Sequence, residues 1–263
     1  MFPTSWYMID ISSSLAVGQT RTIQILGQEL QVKRSPDGSV QVTDESGKEL
    51  HVRDVNDMIM VWYGDEEPWF EVEAFPELSK PEWRPVRWHR SRVFRTTVDN
   101  TMRDAVDNGH FGPVHGLDRA ETQAWQEGPY LDTRSQGIID TKRMGGPSLK
   151  GHLYLKGRLY GMGLLTYRMT ITLGIQLHNV TFSASTPVDA EHVQMFGGVS
   201  LRKVFLLSGL IQRQMVSALA KDYESDALHR ENSGRYNVHQ LTNEETVLFD
   251  LYDGWLSQFQ AAA

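Results

Sequence analysis

Asp104-Ala105-Val106-Asp107-Asn108-Gly109-His110-Phe111-Gly112-Pro113-Val114-His115 is the stretch richest in groups that could do chemistry. Its two imidazoles are five residues apart, so an unbroken helix would hold them about 140° apart around its axis. Gly112 and Pro113 lie between them, and proline does not continue a helix interior. The spacing therefore predicts a helix that breaks there and turns His115 back toward His110. Asp107, three residues before His110, falls on the same helical face. There a carboxylate can take the proton of one imidazole nitrogen and leave the other free to bind a divalent metal. Spacing alone equally allows a helix end with two capping or surface histidines. His51, His89, His152, His178, His192 and His239 are scattered among charged or strand residues and read as ordinary.

Two histidine ligands usually require a carboxylate, and the clearest helix offers one. Over residues 205–228, Leu207, Ile211, Met215 and Leu219 recur every fourth residue, with Leu210 and Ala218 widening the stripe and Gly234 as a stop signal. Asp226, seven after Leu219, continues that stripe. A carboxylate on a core-facing surface is costly unless something pairs with it, and a metal would. Asp222 lies near the same face and is the rival ligand; Glu224 points elsewhere. Asp226 could also lie past the buried part and be solvated. Two histidines and one carboxylate leave coordination positions open, the facial arrangement associated with non-haem Fe(II).

The elements that must position these groups are mostly strands. Ile23 and Ile25, Leu30 and Val32, and Val40 and Val42 alternate with polar residues, and Pro36-Asp37-Gly38 supplies a turn. Met58 to Tyr63 is a denser apolar run. Ser79 to Pro85 carries two prolines and reads as a junction. Tyr167 to Leu173 and Val180 to Ala184 alternate again, the latter ending near Pro187-Val188-Asp189. The glycines between 137 and 163 read as turns or bulges. Further helices are expected around Asn100–Asn108 and Phe249–Phe259. The sum is α+β, an antiparallel sheet packed on a long helix.

Composition excludes several functions. The 263 residues carry a formal charge of −7, opposite to the balance of a phosphate-gripping protein, so no nucleic-acid partner is expected. There are no cysteines, hence no disulfides, thiolate zinc sites, cysteine nucleophile or cluster held by this chain's own thiolates. The apolar run Val204 to Ile211 is too short for a membrane span. The opening Met1-Phe2-Pro3-Thr4-Ser5-Trp6 lacks an export pattern, so a cytoplasmic protein is expected. Phosphate-loop, dinucleotide-glycine and HExxH signatures are absent from the sequence.

Asp107-x-x-His110-x-x-x-x-His115 resembles the iron-binding motif of Rieske-type non-haem iron oxygenases, with the oxygenase component of 3-ketosteroid 9α-hydroxylase and its sterol-desaturase relatives as the nearest flavour. Trp6-Tyr7-Met8 with Gly27-Gln28-Glu29-Leu30, and Val55 to Trp62, resemble the opening and closing strands of the Rieske domain. Ser185 to Asp189 resembles a recurring strand end of the catalytic domain, Asp226 to Asn232 the segment with the carboxylate ligand, and Trp255 to Phe259 the last helix. The resemblance implies that His110, His115 and Asp226 hold Fe(II), and that Asp107 bridges electrons toward it. It implies a helix-grip catalytic domain over residues 67–263, with an antiparallel sheet around a long C-terminal helix. Residues 1–66 would be a truncated Rieske-like β remnant.

One departure is large. A Rieske [2Fe–2S] centre takes two cysteines and two histidines, and its segment should follow the strand ending at Asp44. Here Glu45-Ser46-Gly47-Lys48 passes almost directly to the closing strand. The first functional expectation is an oxygenase acting on a small apolar ring, steroid- or terpenoid-like. Its reactions would be hydroxylation, desaturation or demethylation, with electrons from a Rieske or ferredoxin partner and a possible homotrimer. The second is a non-redox metal enzyme, a hydrolase, isomerase or cyclase on the same fold. A third is a binding or structural subunit that turns nothing over.

Overall fold

A computed structural model describes residues 2–144, 148–204, 206–233 and 241–260. Two small antiparallel sheets open the chain. One has the order β1 (Ser5–Ile11), β6 (Met58–Tyr63), β5 (Val52–Val55); the other runs β2 (Thr20–Ile25), β3 (Gln28–Arg34), β4 (Val40–Thr43). The dense run Met58–Trp62 is buried along its length, as a strand covered on both faces must be. Between β4 and β5 the chain closes on itself: Asp44 Oδ1 accepts from the Ser46 and Lys48 amides at 2.9 and 3.0 Å. These hydrogen bonds, with that of the Ser46 hydroxyl foremost, hold the Asp44 carboxyl below its ordinary value.

Seven antiparallel strands form the large sheet: β7 (Arg87–Arg95), β8 (Leu117–Glu127), β9 (Tyr130–Asp140), β10 (Lys150–Tyr160), β11 (Leu164–Thr172), β12 (Gln176–Pro187) and β13 (His192–Leu201). Their spatial order is β7-β13-β12-β11-β10-β9-β8. The chain thus enters at one edge, crosses to the other, and meanders back until β13 pairs with β7. The first crossing carries α1 (Val98–Arg103) and α2 (Asn108–His115). After β13 comes α3 (Ser208–Ser233), then α4 (Asn243–Leu256). The helix α3 packs on β7 and β13 and meets α2. The β7–β8 connection and the helix that follows β13 therefore meet, bringing together residues such as His115 and Asp226 that are over a hundred positions apart.

The small sheets are fastened to the large one by backbone-directed bonds. Met162 N donates to Ser5 Oγ at 2.9 Å, Thr186 Oγ1 to the Met8 carbonyl at 2.6 Å, and Leu26 N to the Pro187 carbonyl at 2.8 Å. Trp6, Tyr7, Met8, Phe182 and Phe259 belong to one apolar core shared by both parts. A second cluster, including Phe111, Ile171, Val199 and Met215, lies under α2 and α3.

Several sequence expectations change in detail. The helix placed over 100–108 is α1 ending at Arg103, and its successor begins only at Asn108. The long helix starts at Ser208, and the 14-residue α4, not the 26-residue α3, is the last α-helix. Leu207 and Leu210 are exposed, while Gln212 is buried because it donates to the Pro85 and Val199 carbonyls and accepts from Arg84. Gly137, Gly151 and Gly157 sit inside strands rather than turns. A Cβ at Gly157 would fall 2.3 Å from Thr133 Oγ1 and 2.7 Å from the Tyr167 ring, so close side-chain approach explains that residue. Gly145, Gly146 and the expected stop at Gly234 lie outside the described residues.

Candidate metal centre

Asp107 caps α2. Its Oδ1 accepts from the Gly109 and His110 amides at 2.9 and 3.3 Å, satisfying donors that the first helical turn leaves open. The helix then continues through Gly112 and Pro113 without the expected break. It stops after His115, where Gly116 adopts φ 59°, a conformation that favours glycine. A short helix bounded by these two caps puts one histidine in its first turn and the other at its end. Their rings lean together, with Nε2 to Nε2 at 2.9 Å.

The other ring nitrogens decide what those atoms offer. His110 Nδ1 lies 2.7 Å from the Asp107 carbonyl oxygen. A carbonyl can only accept, so Nδ1 carries the proton and Nε2 presents its lone pair. The carboxylate at Asp107 Oδ2 is farther, 3.6 Å, so it is the backbone carbonyl that orients this ring most closely, while the side chain chiefly caps the helix. His115 Nδ1 faces Asp222 Oδ1 at 3.4 Å, and His115 Nε2 lies 3.6 Å from Asp226 Oδ1. Asp226 is buried on α3, as its place on the stripe implies, whereas Glu224 turns outward to Arg92 at 3.0 Å.

His110, His115 and Asp226 each offer a ligand atom, and the three atoms lie within 4.8 Å of one another. Two donors about 2.1 Å from an ion and at right angles to it are about 3 Å apart, which matches the two Nε2 atoms. With both protons on Nδ1, a cation between the two Nε2 atoms satisfies both lone pairs, the place a shared proton takes in the other His115 tautomer. The donor set therefore fits a divalent cation with open positions. Asp222, read from sequence only as a rival ligand, lies instead on the Nδ1 side of His115. Its spacing of four from Asp226 was the available signal, since it puts both carboxylates on one helical face.

Beside this cluster lies a cavity of about 300 Å³ between the sheet and α3. His115 and Asp222 contribute to its wall, with Met169, Ile171, Val199 and Met215 on the apolar side and Thr181 as a hydroxyl. Met169 and Ile171 come from one alternating face of β11, whereas β13 is buried on both faces, so alternation gives no signal for Val199. Tyr223 borders the same helix face; burial raises its phenol well above the ordinary value, and the Asp226 and Asp222 charges add to that. It stays neutral and donates to Ser183 Oγ at 2.9 Å.

The fold is that of the catalytic domain of Rieske-type non-haem iron oxygenases, a class of oxidoreductases. The 3-ketosteroid 9α-hydroxylase C-terminal domain model matches residues 61–231, and the chain belongs to that family. Among solved structures it is similar to dicamba monooxygenase bound to 3,6-dichlorosalicylic acid, with TM-score 0.74, 14% identity and 99% of each chain covered. The terminal oxygenase of carbazole 1,9a-dioxygenase from Novosphingobium sp. KA1 gives TM-score 0.67 at 15% identity, covering 99% of this chain and 93% of that one. Dicamba monooxygenase with non-haem iron and dicamba gives 0.64 at 13% identity, covering 97% of each chain. No curated protein matches the chain in sequence. Among the described residues, no helix is long and apolar enough to cross a membrane.

Proposed function

We propose that the chain holds one Fe(II) on His110, His115 and Asp226 and oxidises a small apolar ring compound, steroid- or terpenoid-like. The carrying observation is that the three-donor cluster shares His115 with an apolar cavity. A mononuclear Fe(II) bound there would supply dioxygen activation through its open coordination positions. The chain's residues do the rest. His110 and His115 present Nε2 because the Asp107 carbonyl and the Asp222 carboxylate face their Nδ1 atoms. Met169, Ile171, Val199 and Met215 exclude water and seat the ring, with Thr181 as a polar anchor in the wall. Asp107, at the α2 N-terminus beside His110, takes the role of bridging electrons from a Rieske or ferredoxin partner. The catalytic unit is residues 67–263 in a helix-grip arrangement, the β remnant is residues 1–66, and the assembly is a cytoplasmic homotrimer.

The test is anaerobic loading with Fe(II), followed by air and a panel of 3-ketosteroids and cyclic terpenoids. Each is run with reduced ferredoxin, with a chemical reductant, and with neither. The proposal expects a product heavier by one oxygen, labelled from ¹⁸O₂, or a desaturated or demethylated one, and only when electrons are supplied. A second reading is favoured by the tight Asp44–Lys48 turn and the absence of cysteine. A metal held by the same residues would act as a Lewis acid in hydrolysis, isomerisation or cyclisation. Turnover without any reductant would favour that reading.

A further inference from the structure

We infer that Asp222 is a positioning residue: its carboxylate holds the His115 imidazole by Nδ1 so that Nε2 is aimed, as a lone-pair donor, at the metal. The inference rests on the proposed centre and deepens it. The two histidines are oriented by different means. His110 Nδ1 meets a backbone carbonyl at 2.7 Å, which the capped start of α2 fixes in place. His115 ends that helix, and the group facing its Nδ1 comes from another element, Asp222 of α3 at 3.4 Å. Asp226, one turn later on α3, lies 3.6 Å from the opposite nitrogen of the same ring. The two carboxylates thus bracket one imidazole, and the helical repeat of α3 sets their spacing.

This bracket has chemical consequences. An ionised carboxylate is an acceptor only, so it selects the tautomer with the proton on Nδ1. Being anionic, it also raises the electron-donating power of Nε2 more than a neutral carbonyl does. His115 and Asp222 both contribute to the cavity wall, so the same contact keeps the ring from swinging into the space meant for substrate. Lys221, also at that wall, is exposed and does not replace Asp222 as an acceptor, since an ammonium only donates.

The experiment uses the full chain and Co(II) alone as the probe, followed by titration and by the visible d–d spectrum. Asp222→Leu, which fills the space but accepts nothing, is expected to weaken Co(II) binding about 10- to 100-fold and to shift the spectrum. Asp222→Asn still offers an acceptor oxygen and is expected to recover much of that loss. In a His115→Ala background, Asp222→Leu should cost nothing further, which a merely structural role would not produce. Wild-type affinity and spectrum in Asp222→Leu would overturn the proposal. So would loss as complete as in Asp226→Ala, which would make Asp222 a ligand. Failure of the wild-type chain to bind Co(II) at all would remove the centre itself, a result distinct from both.

Discussion

In the N-terminal sheets the buried Asp10 carboxylate is met by the Arg21 guanidinium and by the Ile11 amide at 2.9 Å. Arg34 nearby is spent on Leu15, Gly38, Ser12 and Asp54. Around the large sheet, polar groups are left in a different condition. The two imidazoles meet each other at 2.9 Å, and, separately, Thr96, Asn108, Thr133, Asn179 and Ser185 each bury a side-chain polar atom without a hydrogen-bond partner. Among the described residues the N-terminal sheets contain one such atom, Arg53 Nε. Unpaired buried polar atoms cost stability, so a fold retains them where packing is not the sole requirement. The contrast is between a buried carboxylate matched by a guanidinium and a group of three ligand-type side chains, His110, His115 and Asp226, whose donor atoms lie within 4.8 Å of one another.

The small sheets are held to the large one by packing and by backbone-directed hydrogen bonds. Trp6, Tyr7 and Met8 are buried against the large sheet, and the Asp44–Lys48 turn closes the chain between β4 and β5. Their packing forms part of the wall on which the large sheet rests.

The sharpest break in the comparison is Asp226→Ala. It is expected to reduce Fe(II) or Co(II) affinity by more than about 100-fold, beyond the loss from an outer partner, while thermal unfolding of the metal-free chain changes little. Metal titration and calorimetry together check it. The converse is Tyr7→Ala. Truncating this fully buried ring should cost about 3–5 kcal/mol in denaturant unfolding, with metal stoichiometry per folded molecule unchanged. Loss of metal in folded Tyr7→Ala would show the two regions to be energetically one.

Met215→Ala sits between these extremes. It removes a buried wall residue and should cost about 2–5 kcal/mol while letting the cavity accept a bulkier ring, read as a shift in KM across a substrate series. Asp107 can be divided by two variants. Asp107→Ala loses the α2 cap, worth about 1 kcal/mol, whereas Asp107→Asn keeps a capping oxygen. If Asp107 bridges electrons, both variants should lose more turnover than metal affinity, and equal activity in Asp107→Asn would remove that role.

The smallest effect is a shared one. Burial, then the neighbouring Tyr63, holds the Tyr7 phenol well above its ordinary value; burial, then the Asp99 charge, does the same for Tyr252. A raised folded pKa contributes stability that is full below the unfolded value near 10 and is lost as pH rises toward the folded value. Unfolding midpoints should therefore fall above about pH 10, less steeply in Tyr7→Phe.

Local rules in the sequence determined a good part of this protein. Alternation marked β2, β3, β4, β11 and β12, because a half-buried strand repeats every two residues. The turn at Pro36-Asp37-Gly38 and the strand end at Pro187 followed from backbone chemistry. Two histidines and a striped carboxylate were enough to nominate a metal. Tertiary structure decided the rest. Only the meeting of α2 and α3 brings residue 226 to residues 110 and 115, and local periodicity carries no information about which connections meet. Only the finished contacts show that Asp107 caps a helix and orients His110 through its carbonyl, that Gln212 is a buried member of the α3 face, and that Asp222 faces the far side of the ring Asp226 approaches. Each of these depends on a partner distant in sequence, and a side chain's role is set by the group it meets.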